Sequence, residues 1–379
     1  MHKQILIKGG YMFSGTGSRL RDGIGLSVVL FVLASCGGGG GGGSSGPAGS
    51  KLFVVDAGNH AIATMINPTP TTTVTIDRLI AGTNTGLGTL VGTPSVFSIP
   101  SIVLDAPNDR LYVAMENSGV VTFNNASVAD GNINFTRRIS GAIPLGGGGT
   151  LTVNFSWIDV DKTRDVLYSV APGGEVHIYN GISTLSGFNL APNRTITPDF
   201  GGAGTGSLFG IAIDVAKDLL YVGLQIGSSM SIAVFNNAST ASTTTTSLAP
   251  TKTITFPLAI GSIYLDAAHD RMYLSQFDGK VLVYDNFSNL GSGAAPTANR
   301  MINISGGTVV QFYIFADASR DKLYAVGNIP GSNPTLDQGF LIIVNNASTA
   351  DDTGGPTSTG VLVAFNVSNI RLSAVAVKP

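Results

Sequence analysis

The chain repeats one short phrase six times, in which an aliphatic residue precedes an aromatic one and a small or apolar residue follows. Successive copies lie about 51 to 59 residues apart. A regular period of this size, with each unit dense in strands, is typical of a repeat architecture rather than of a mixed enzyme domain. The copies are Leu52-Phe53-Val54, Leu111-Tyr112-Val113, Leu167-Tyr168-Ser169, Leu220-Tyr221-Val222, Met272-Tyr273-Leu274 and Leu323-Tyr324-Ala325.

Two aspartates stand at fixed positions in each of the last five units. An aliphatic strand ends in the first aspartate, the second follows four residues later, and the Leu-Tyr strand begins two residues beyond it. Aspartate side chains accept hydrogen bonds from turn amides, so this spacing predicts a tight turn between two strands. Because the pairs occur once per unit, we expect them to cap turns around a ring and not to converge as calcium ligands. The pairs are Asp105 and Asp109, Asp161 and Asp165, Asp214 and Asp218, Asp266 and Asp270, and Asp317 and Asp321.

A third and a fourth strand complete most units. The third leads into an asparagine turn, as in Val121–Ser127, and the fourth starts at a basic residue, as at Arg194 or Lys252. No segment shows sustained helical periodicity with caps. Four antiparallel strands in a unit of about 50 residues predict an all-β fold, a six-bladed β-propeller with four-stranded antiparallel blades.

The two ends of the repeat region predict how the ring closes. The first unit starts at Lys51, already on its Leu-Phe strand, and lacks the preceding aliphatic strand. The segment Ser373–Pro379 is a strand of that missing type with no Leu-Tyr strand after it. We therefore expect the C-terminal strand to complete the first blade, which removes the exposed edges that invite aggregation.

The first 35 residues have the pattern of a secretory signal. Basic residues precede an apolar run over residues 24–34, which is too short to span a membrane, and small residues follow it. The segment Leu33-Ala34-Ser35-Cys36 resembles the lipobox of bacterial lipoproteins. That resemblance implies cleavage before Cys36, a diacylglycerol on its sulfur and acylation, with palmitate for example, of the new amino terminus.

The resemblance also implies a domain order and a location. Residues 1–35 are the lipoprotein signal peptide, residues 36–50 are the acylated cysteine with a glycine- and serine-rich flexible tether, and residues 51–379 are the propeller. Gly37 is not the aspartate that marks inner-membrane retention in enteric lipoproteins. We therefore expect a lipid-anchored protein of the bacterial cell envelope, at the outer membrane, facing the periplasm or the cell surface.

Charge composition bears on the class of partner. Only 12% of the residues are charged, the net charge is −2, and no basic block occurs. Phosphate binding needs clustered lysine and arginine, so nucleic acid is excluded as a partner. The expected partners are the membrane, through the lipid anchor, and a protein or glycan.

Two phrases carry a resemblance to known propeller families. The segment from Leu52 to Ile62, which contains Gly58-Asn59-His60, resembles the core phrase of NHL-repeat propellers. The Asp-x-x-x-Asp-x-Leu-Tyr phrase is similar to both NHL-type and YWTD-type blades. These resemblances imply a six-bladed ring over residues 51–379.

Candidate ligand-binding residues follow from the loops at one end of the ring. The loops that enter the innermost strands are long and rich in glycine there, and binding residues concentrate on long loops of rigid scaffolds. Trp157, on an innermost strand, is expected either to pack between blades or to stack on a ligand such as a sugar. Asp159 is expected to face channel water or to coordinate a cation. The candidates are Asn59, His60, Glu116, Trp157, Asp159, Gln276, Asp278 and Asn328.

No catalytic set and no metal site are predicted. The histidines are isolated, no free cysteine remains after lipidation, and no Gly-x-Ser-x-Gly elbow occurs. The sequence thus favours a non-enzymatic binding or scaffolding module without a cofactor. The alternative is a lactonase or hydrolase, which similar six-bladed enzymes run with calcium in the central channel. A subunit of a surface assembly is a third interpretation.

Overall fold

A computed structural model describes residues 49–66, 76–87, 101–115, 119–145, 149–153, 155–171, 173–199, 206–243, 247–257, 259–304, 311–329, 338–352, 361–364 and 372–378. These residues form six small sheets, with short 3₁₀ turns at Thr83–Thr85, Ala126–Val128, Ala267–His269 and Phe287–Asn289. None of the helical segments in these ranges has the length and apolar character needed to cross a membrane. The predicted all-β, six-bladed propeller is confirmed.

Each blade runs from an inner strand at the channel to an outer strand at the rim. Blade 1 contains, from the inside, β27 (Leu372–Lys378), β1 (Lys51–Asp56), β2 (Ala61–Ile66) and β3 (Arg78–Ile80). Blade 2 contains β4 (Ser101–Asp105), β5 (Arg110–Met115), β6 (Gly119–Asn124) and β7 (Arg137–Leu145), with β8 (Gly149–Val153) paired to β7. Blade 3 contains β9 (Ile158–Asp161), β10 (Val166–Ala171), β11 (Glu175–Asn180) and β13 (Arg194–Ile196).

The other three blades follow the same order. Blade 4 contains β14 (Ser207–Asp214), β15 (Leu219–Ile226), β16 (Ser229–Asn236) and β17 (Lys252–Phe256). Blade 5 contains β18 (Ile260–Asp266), β19 (Arg271–Gln276), β20 (Lys280–Asp285) and β22 (Arg300–Asn303). Blade 6 contains β23 (Gln311–Asp317), β24 (Lys322–Ile329), β25 (Gln338–Asn345) and β26 (Val361–Ala364). Two short strands, β12 (Gly187–Leu190) and β21 (Gly293–Ala294), lie outside this plan.

The ring is closed by the C-terminal strand, as predicted. β27 pairs antiparallel with β1, and Phe53 lies opposite Ala376 in the register. The inner strands contact one another in the cyclic order β27, β4, β9, β14, β18, β23 and back to β27. Blades 3 and 6 therefore face each other across the central channel.

The repeated aromatic residue packs each blade against the next one. Side chains alternate between the two faces of a strand, so the aromatic residue and the leucine before it point to opposite neighbours. Tyr221 of blade 4, for example, shares a buried cluster with Ile263, Met272 and Leu274 of blade 5. All six aromatic side chains are at most 2% exposed. Five such clusters join successive blades from blade 1 to blade 6 and contain Phe53, Tyr112, Tyr168, Tyr221 and Tyr273.

The paired aspartates hold turns, as predicted, and the second of each pair does more than cap its own turn. It adopts a left-handed conformation with φ between 50° and 58°, which aspartate tolerates better than most residues. Its two carboxylate oxygens accept hydrogen bonds from the backbone N–H and the hydroxyl of one serine, which lies in the turn after the third strand. The aspartate and serine pairs are Asp109 and Ser127, Asp165 and Ser183, Asp218 and Ser239, Asp270 and Ser288, and Asp321 and Ser348.

Three of these aspartates also bind a basic residue of the preceding blade. Lys378 of blade 1 lies 2.9 Å from Asp109, Arg164 of blade 3 lies 3.5 Å from Asp218, and Lys217 of blade 4 lies 2.9 Å from Asp270. Lys378 occupies the position at which the other inner strands carry their first aspartate, because it lies opposite Lys51 as Asp105 lies opposite Arg110. The C-terminal strand thus supplies a cation that ties blade 1 to blade 2.

The outer edges of the blades are covered by segments from the following blade, which the sequence did not predict. β12 of the blade 3 connection pairs parallel with β7, and β21 of the blade 5 connection pairs parallel with β17. Single parallel bridges also join Gly131 to Ile80 and Leu248 to Pro198, in each case from the following blade to the edge of the preceding one. These contacts satisfy backbone groups that an uncovered edge strand would expose. One of the long connections that lead to an innermost strand contains a hairpin, in which β7 pairs antiparallel with β8.

We predict that Asp270→Ala lowers the free energy of unfolding by about 2 to 3 kcal/mol, because it removes a charged acceptor from Ser288 and leaves alanine at a positive φ. Asp278→Ala is the matched control. Asp278 forms a lysine pair with Lys280 at 2.6 Å but is 44% exposed, so its loss should cost under about 1 kcal/mol. Urea denaturation of both variants measures the difference, and equal losses would contradict the prediction.

The effect of Asp270 should also depend on pH. Burial raises the pKa of this carboxyl, but hydrogen bonds from Lys217 and Ser288 outweigh it and the pKa is lowered. A lowered folded-state pKa gives stability that is present above the unfolded value of about 3.9 and is lost as pH falls through the folded value. The gap between wild type and Asp270→Asn should therefore narrow below about pH 4.

Candidate functional site

The central channel is lined by two layers of side chains from the inner strands. Positions on each inner strand are counted back from its last residue, which is the first aspartate of the turn or, in blade 1, Lys378. The strand register aligns the residues four positions before this end, and likewise those two positions before it. The first layer contains Ala374, Ser101, Trp157, Gly210, Ser262 and Tyr313. The second layer contains Ala376, Val103, Asp159, Ala212, Tyr264 and Phe315.

In the first layer, two large aromatic residues meet across the channel. The ring centroids of Trp157 and Tyr313 are 5.2 Å apart at an interplanar angle of 37°. The two residues come from blades 3 and 6, which lie opposite each other, and the other four blades supply only alanine, serine or glycine. The small side chains leave the space that the aromatic pair fills. Trp157 is the only tryptophan of the chain, so its fluorescence reports on this site.

In the second layer, aromatic rings line one side. The centroids of Tyr264 and Phe315, from neighbouring blades, are 4.8 Å apart, and Tyr264 also lies 6.4 Å from Tyr273. Burial, the carboxylate of Asp266 and that of Asp159 raise the pKa of the Tyr264 hydroxyl above its ordinary value. Tyr264 therefore stays protonated, as a weak donor beside an aromatic surface.

Asp159 is the one carboxylate of the second layer. Its Oδ2 accepts a hydrogen bond of 2.9 Å from the backbone N–H of Ile213 in blade 4, and its Oδ1 accepts one of 2.7 Å from the N–H of Val160. Burial raises the pKa of Asp159, although both amide bonds act against that shift. The carboxylate thus ties blade 3 to blade 4 while it borders the channel.

The two layers enclose a cavity of about 490 Å³. Its lining extends from Trp157 and Tyr313 to Lys162 and Thr163, which are exposed residues of the turn after β9. This volume lies within the range of small-ligand sites. The cavity therefore reaches the end of the ring that carries the aspartate turns, opposite the end where the long loops led us to expect a ligand.

Trp157 and Asp159 are the two predicted candidates that line the cavity. Asn59 lies in the turn between β1 and β2, where its N–H and amide group bond the carboxylate of Asp56, and His60 adopts a positive φ of 51° beside it. Asp278 pairs with Lys280 in the turn after β19. Glu116 and the lipidation candidate Cys36 lie outside the described residues.

Gln276 and Asn328 are amides at the ends of two second strands. Gln276 is buried, and its Oε1 has no hydrogen-bond partner among the described residues. Asn328 bonds both backbone groups of Leu372, donating from Nδ2 to the carbonyl at 3.3 Å and accepting from the N–H at 2.9 Å. The structure therefore places Asn328 at the closure between blade 6 and the C-terminal strand.

Sequence reasoning missed Tyr264, Tyr313 and Phe315. A signal for them was present, because Tyr313 stands four residues before Asp317 as Trp157 stands before Asp161. Tyr264 and Phe315 share the position of Asp159 in the same way. The size of these side chains next to the alanines and serines of the other blades marks them as channel residues.

The channel residues do not fit the calcium ion of the resembling enzymes. Calcium takes six to eight oxygen ligands, whereas Asp159 is the one carboxylate of the second layer and both its oxygens accept backbone hydrogen bonds. The rest of that layer is apolar or aromatic. Over the described ranges, no three histidine, cysteine, aspartate or glutamate side chains come together as metal ligands.

Fold and site together define a closed six-bladed propeller with an aromatic-lined channel. No protein-family model matches the chain, and no curated protein is similar to it in sequence. The β-propeller domain of Cps50 (Swd1) from Myceliophteria thermophila is similar at 13% identity and a TM-score of 0.39, over 72% of this chain and 68% of that one. A chain of a nidogen–laminin complex is similar at 11% identity and a TM-score of 0.49, over 87% of this chain and 99% of that one. Neither similarity bears on function.

We predict that Asn328→Ala destabilises the ring by about 1 to 3 kcal/mol, because it leaves both backbone groups of Leu372 without this partner. Gln225→Ala is the matched control. Gln225 occupies the equivalent position of blade 4, where its contacts, to Ser207 and Gly227, stay within its own blade. Thermal unfolding of both variants measures the difference, and a larger effect of Gln225→Ala would refute the special role of Asn328.

Proposed function

We propose that this chain is a lipid-anchored, non-enzymatic binding propeller of the bacterial cell envelope. One observation carries the proposal: the turn aspartates and Asp159 are engaged in hydrogen bonds of the scaffold, whereas the cavity offers aromatic faces. Aromatic surface supports binding by contact and stacking. Acid–base chemistry needs instead a carboxylate placed to exchange a proton with a substrate.

The enzymatic alternative has less support. A calcium-dependent lactonase or hydrolase needs several oxygen ligands on the axis, and the described channel residues offer one carboxylate with both oxygens in use. Calcium titration by calorimetry tests the alternative directly. Tight binding at one site that Asp159→Ala abolishes would favour the enzyme.

The anchor is supported by the lipobox-like segment before Cys36. Two acyl chains or more are needed for stable anchoring, because each buried methylene contributes only about 0.8 kcal/mol. The glycine-rich segment that follows would let the propeller stand clear of the membrane and reach a partner at the outer membrane.

We predict that Cys36→Ser abolishes incorporation of labelled palmitate and releases the protein from the membrane fraction, because serine lacks the thiol that accepts the diacylglycerol. The propeller should keep its thermal stability, since the substitution lies before β1. Metabolic labelling and fractionation measure the first two effects. Labelling of the variant at the wild-type level would contradict the assignment of Cys36.

The expected partner is a protein or a glycan of the envelope. Crosslinking of the full-length chain in intact cells should capture the same partner repeatedly with wild type and with Asp77→Asn, which alters an exposed residue outside the channel. Tyr313→Ala should reduce the capture, because it removes half of the aromatic pair. A failure to capture any partner in repeated experiments, or turnover of a lactone substrate by the purified chain, would overturn the proposal.

A further inference from the structure

The cavity combines aromatic rings with a carboxylate. Aromatic rings from three different blades line it, at Trp157, Tyr264 and at Tyr313 with Phe315. Among the residues that the structure describes, Asp159 is the single carboxylate that borders the same space. The second layer is otherwise closed by alanine and valine, which leave room beside that carboxylate.

This combination favours a cationic ligand. The face of an aromatic ring carries negative electrostatic potential, and it attracts an organic cation within about 6 Å of its centre. Asp159 is half-buried, so its carboxylate is less hydrated than one in open solvent, and a cation beside it would balance its negative charge. Burial raises the pKa of Asp159 by disfavouring its charged form, whereas the two backbone hydrogen bonds and the charge of Lys162 act against that shift.

The hydrogen-bonding groups of the walls distinguish between possible ligands. Ser262 bonds Ser275 at 2.8 Å, and Ser101 contacts the backbone of Ile158 at 3.4 Å, so both hydroxyls already have neighbours. Both oxygens of Asp159 accept backbone bonds. A sugar or a primary ammonium would bring several donors and find few acceptors here. A methylated ammonium has few or no N–H groups to satisfy, and aromatic surface suits its methyl groups.

We propose that the central channel binds a methylated organic ammonium cation, held between the aromatic rings of Tyr264 and Phe315 and the carboxylate of Asp159 below the Trp157–Tyr313 pair. The inference rests on the proposed binding role and names the chemical class of its ligand. Lys162, an exposed cation on the cavity lining, opposes binding. Its effect is weakened by solvent and salt, because it lies at the exposed end of the cavity.

Choline is the probe, and calorimetry with the full-length chain in detergent is the measurement. The neutral isostere 3,3-dimethylbutan-1-ol tests for the charge, and n-butylammonium tests for the methyl groups. We expect choline to bind at one site and to change the fluorescence of Trp157, with both other compounds at least about tenfold weaker. Equal binding of the neutral isostere would overturn the cationic class, and tighter binding of n-butylammonium would overturn the methylated form.

Variants separate this site from general effects on folding. Asp159→Asn and Tyr264→Leu should each weaken choline binding about tenfold, and Lys162→Met should strengthen it. Asp77→Asn, an exposed carboxylate on the outer strand side of blade 1, should leave it unchanged. If Asp159→Asn is unstable, the choline affinities of Tyr264→Leu and Lys162→Met still test the proposed site. If none of the three channel variants changes the affinity for choline, the assignment of the ammonium site to the channel is refuted.

Failure of the ammonium site can be distinguished from failure of the proposed binding function. If choline does not bind but an envelope partner is still captured in a Tyr313-dependent way, the ammonium site is wrong and the binding propeller stands. If choline binds and no envelope partner is captured, the channel is a small-molecule site and the envelope partner is wrong.

Discussion

One interaction recurs in five of the six blades: the carboxylate of an aspartate with a left-handed backbone conformation accepts two hydrogen bonds from a serine of the same blade. Because the aspartate ends the turn between the first two strands and the serine lies in the turn after the third, each pair joins the inner and outer halves of a blade. In three blades the same carboxylate binds a basic residue of the preceding blade. One residue type at one position thus adopts the turn conformation, joins two turns of its blade and, in three blades, contacts the preceding blade, which explains why an aspartate recurs there.

Packing between blades follows from the same register. The repeated aromatic residue lies on the face that meets the next blade, and the leucine before it lies on the other. A one-residue slip would exchange these faces and expose the aromatic ring. The last strand pairs with the first under the same rule, and Asn328 binds its backbone where blade 6 meets it. The short strands on the outer edges of blades 2 and 4 extend these two blades toward the next one.

The channel is where the blades differ. Trp157 and Asp159 could be singled out from the sequence because they break the aliphatic pattern of the inner strands. Tyr264, Tyr313 and Phe315 stand at the matching positions of their own blades, so the spacing to the turn aspartates assigns them to the same space, although large aromatic residues also pack between blades. Asn59, Gln276, Asp278 and Asn328 are polar residues at the end of the ring with the long loops, and the structure gives Asn59, Asp278 and Asn328 partners in the scaffold. A polar residue in a turn cannot be distinguished from a ligand-binding one by its type alone.

The sequence by itself determined the period, the number of blades, the turn aspartates and the strand that closes the ring. These features repeat, and their local hydrogen bonds act over a few residues, so a pattern of letters is enough to predict them. Only the tertiary structure decided that Trp157 meets Tyr313 across the channel, and that Asp159 binds the backbone of blade 4. Those contacts join residues from different blades, and their distances depend on how the ring closes rather than on spacing along the chain.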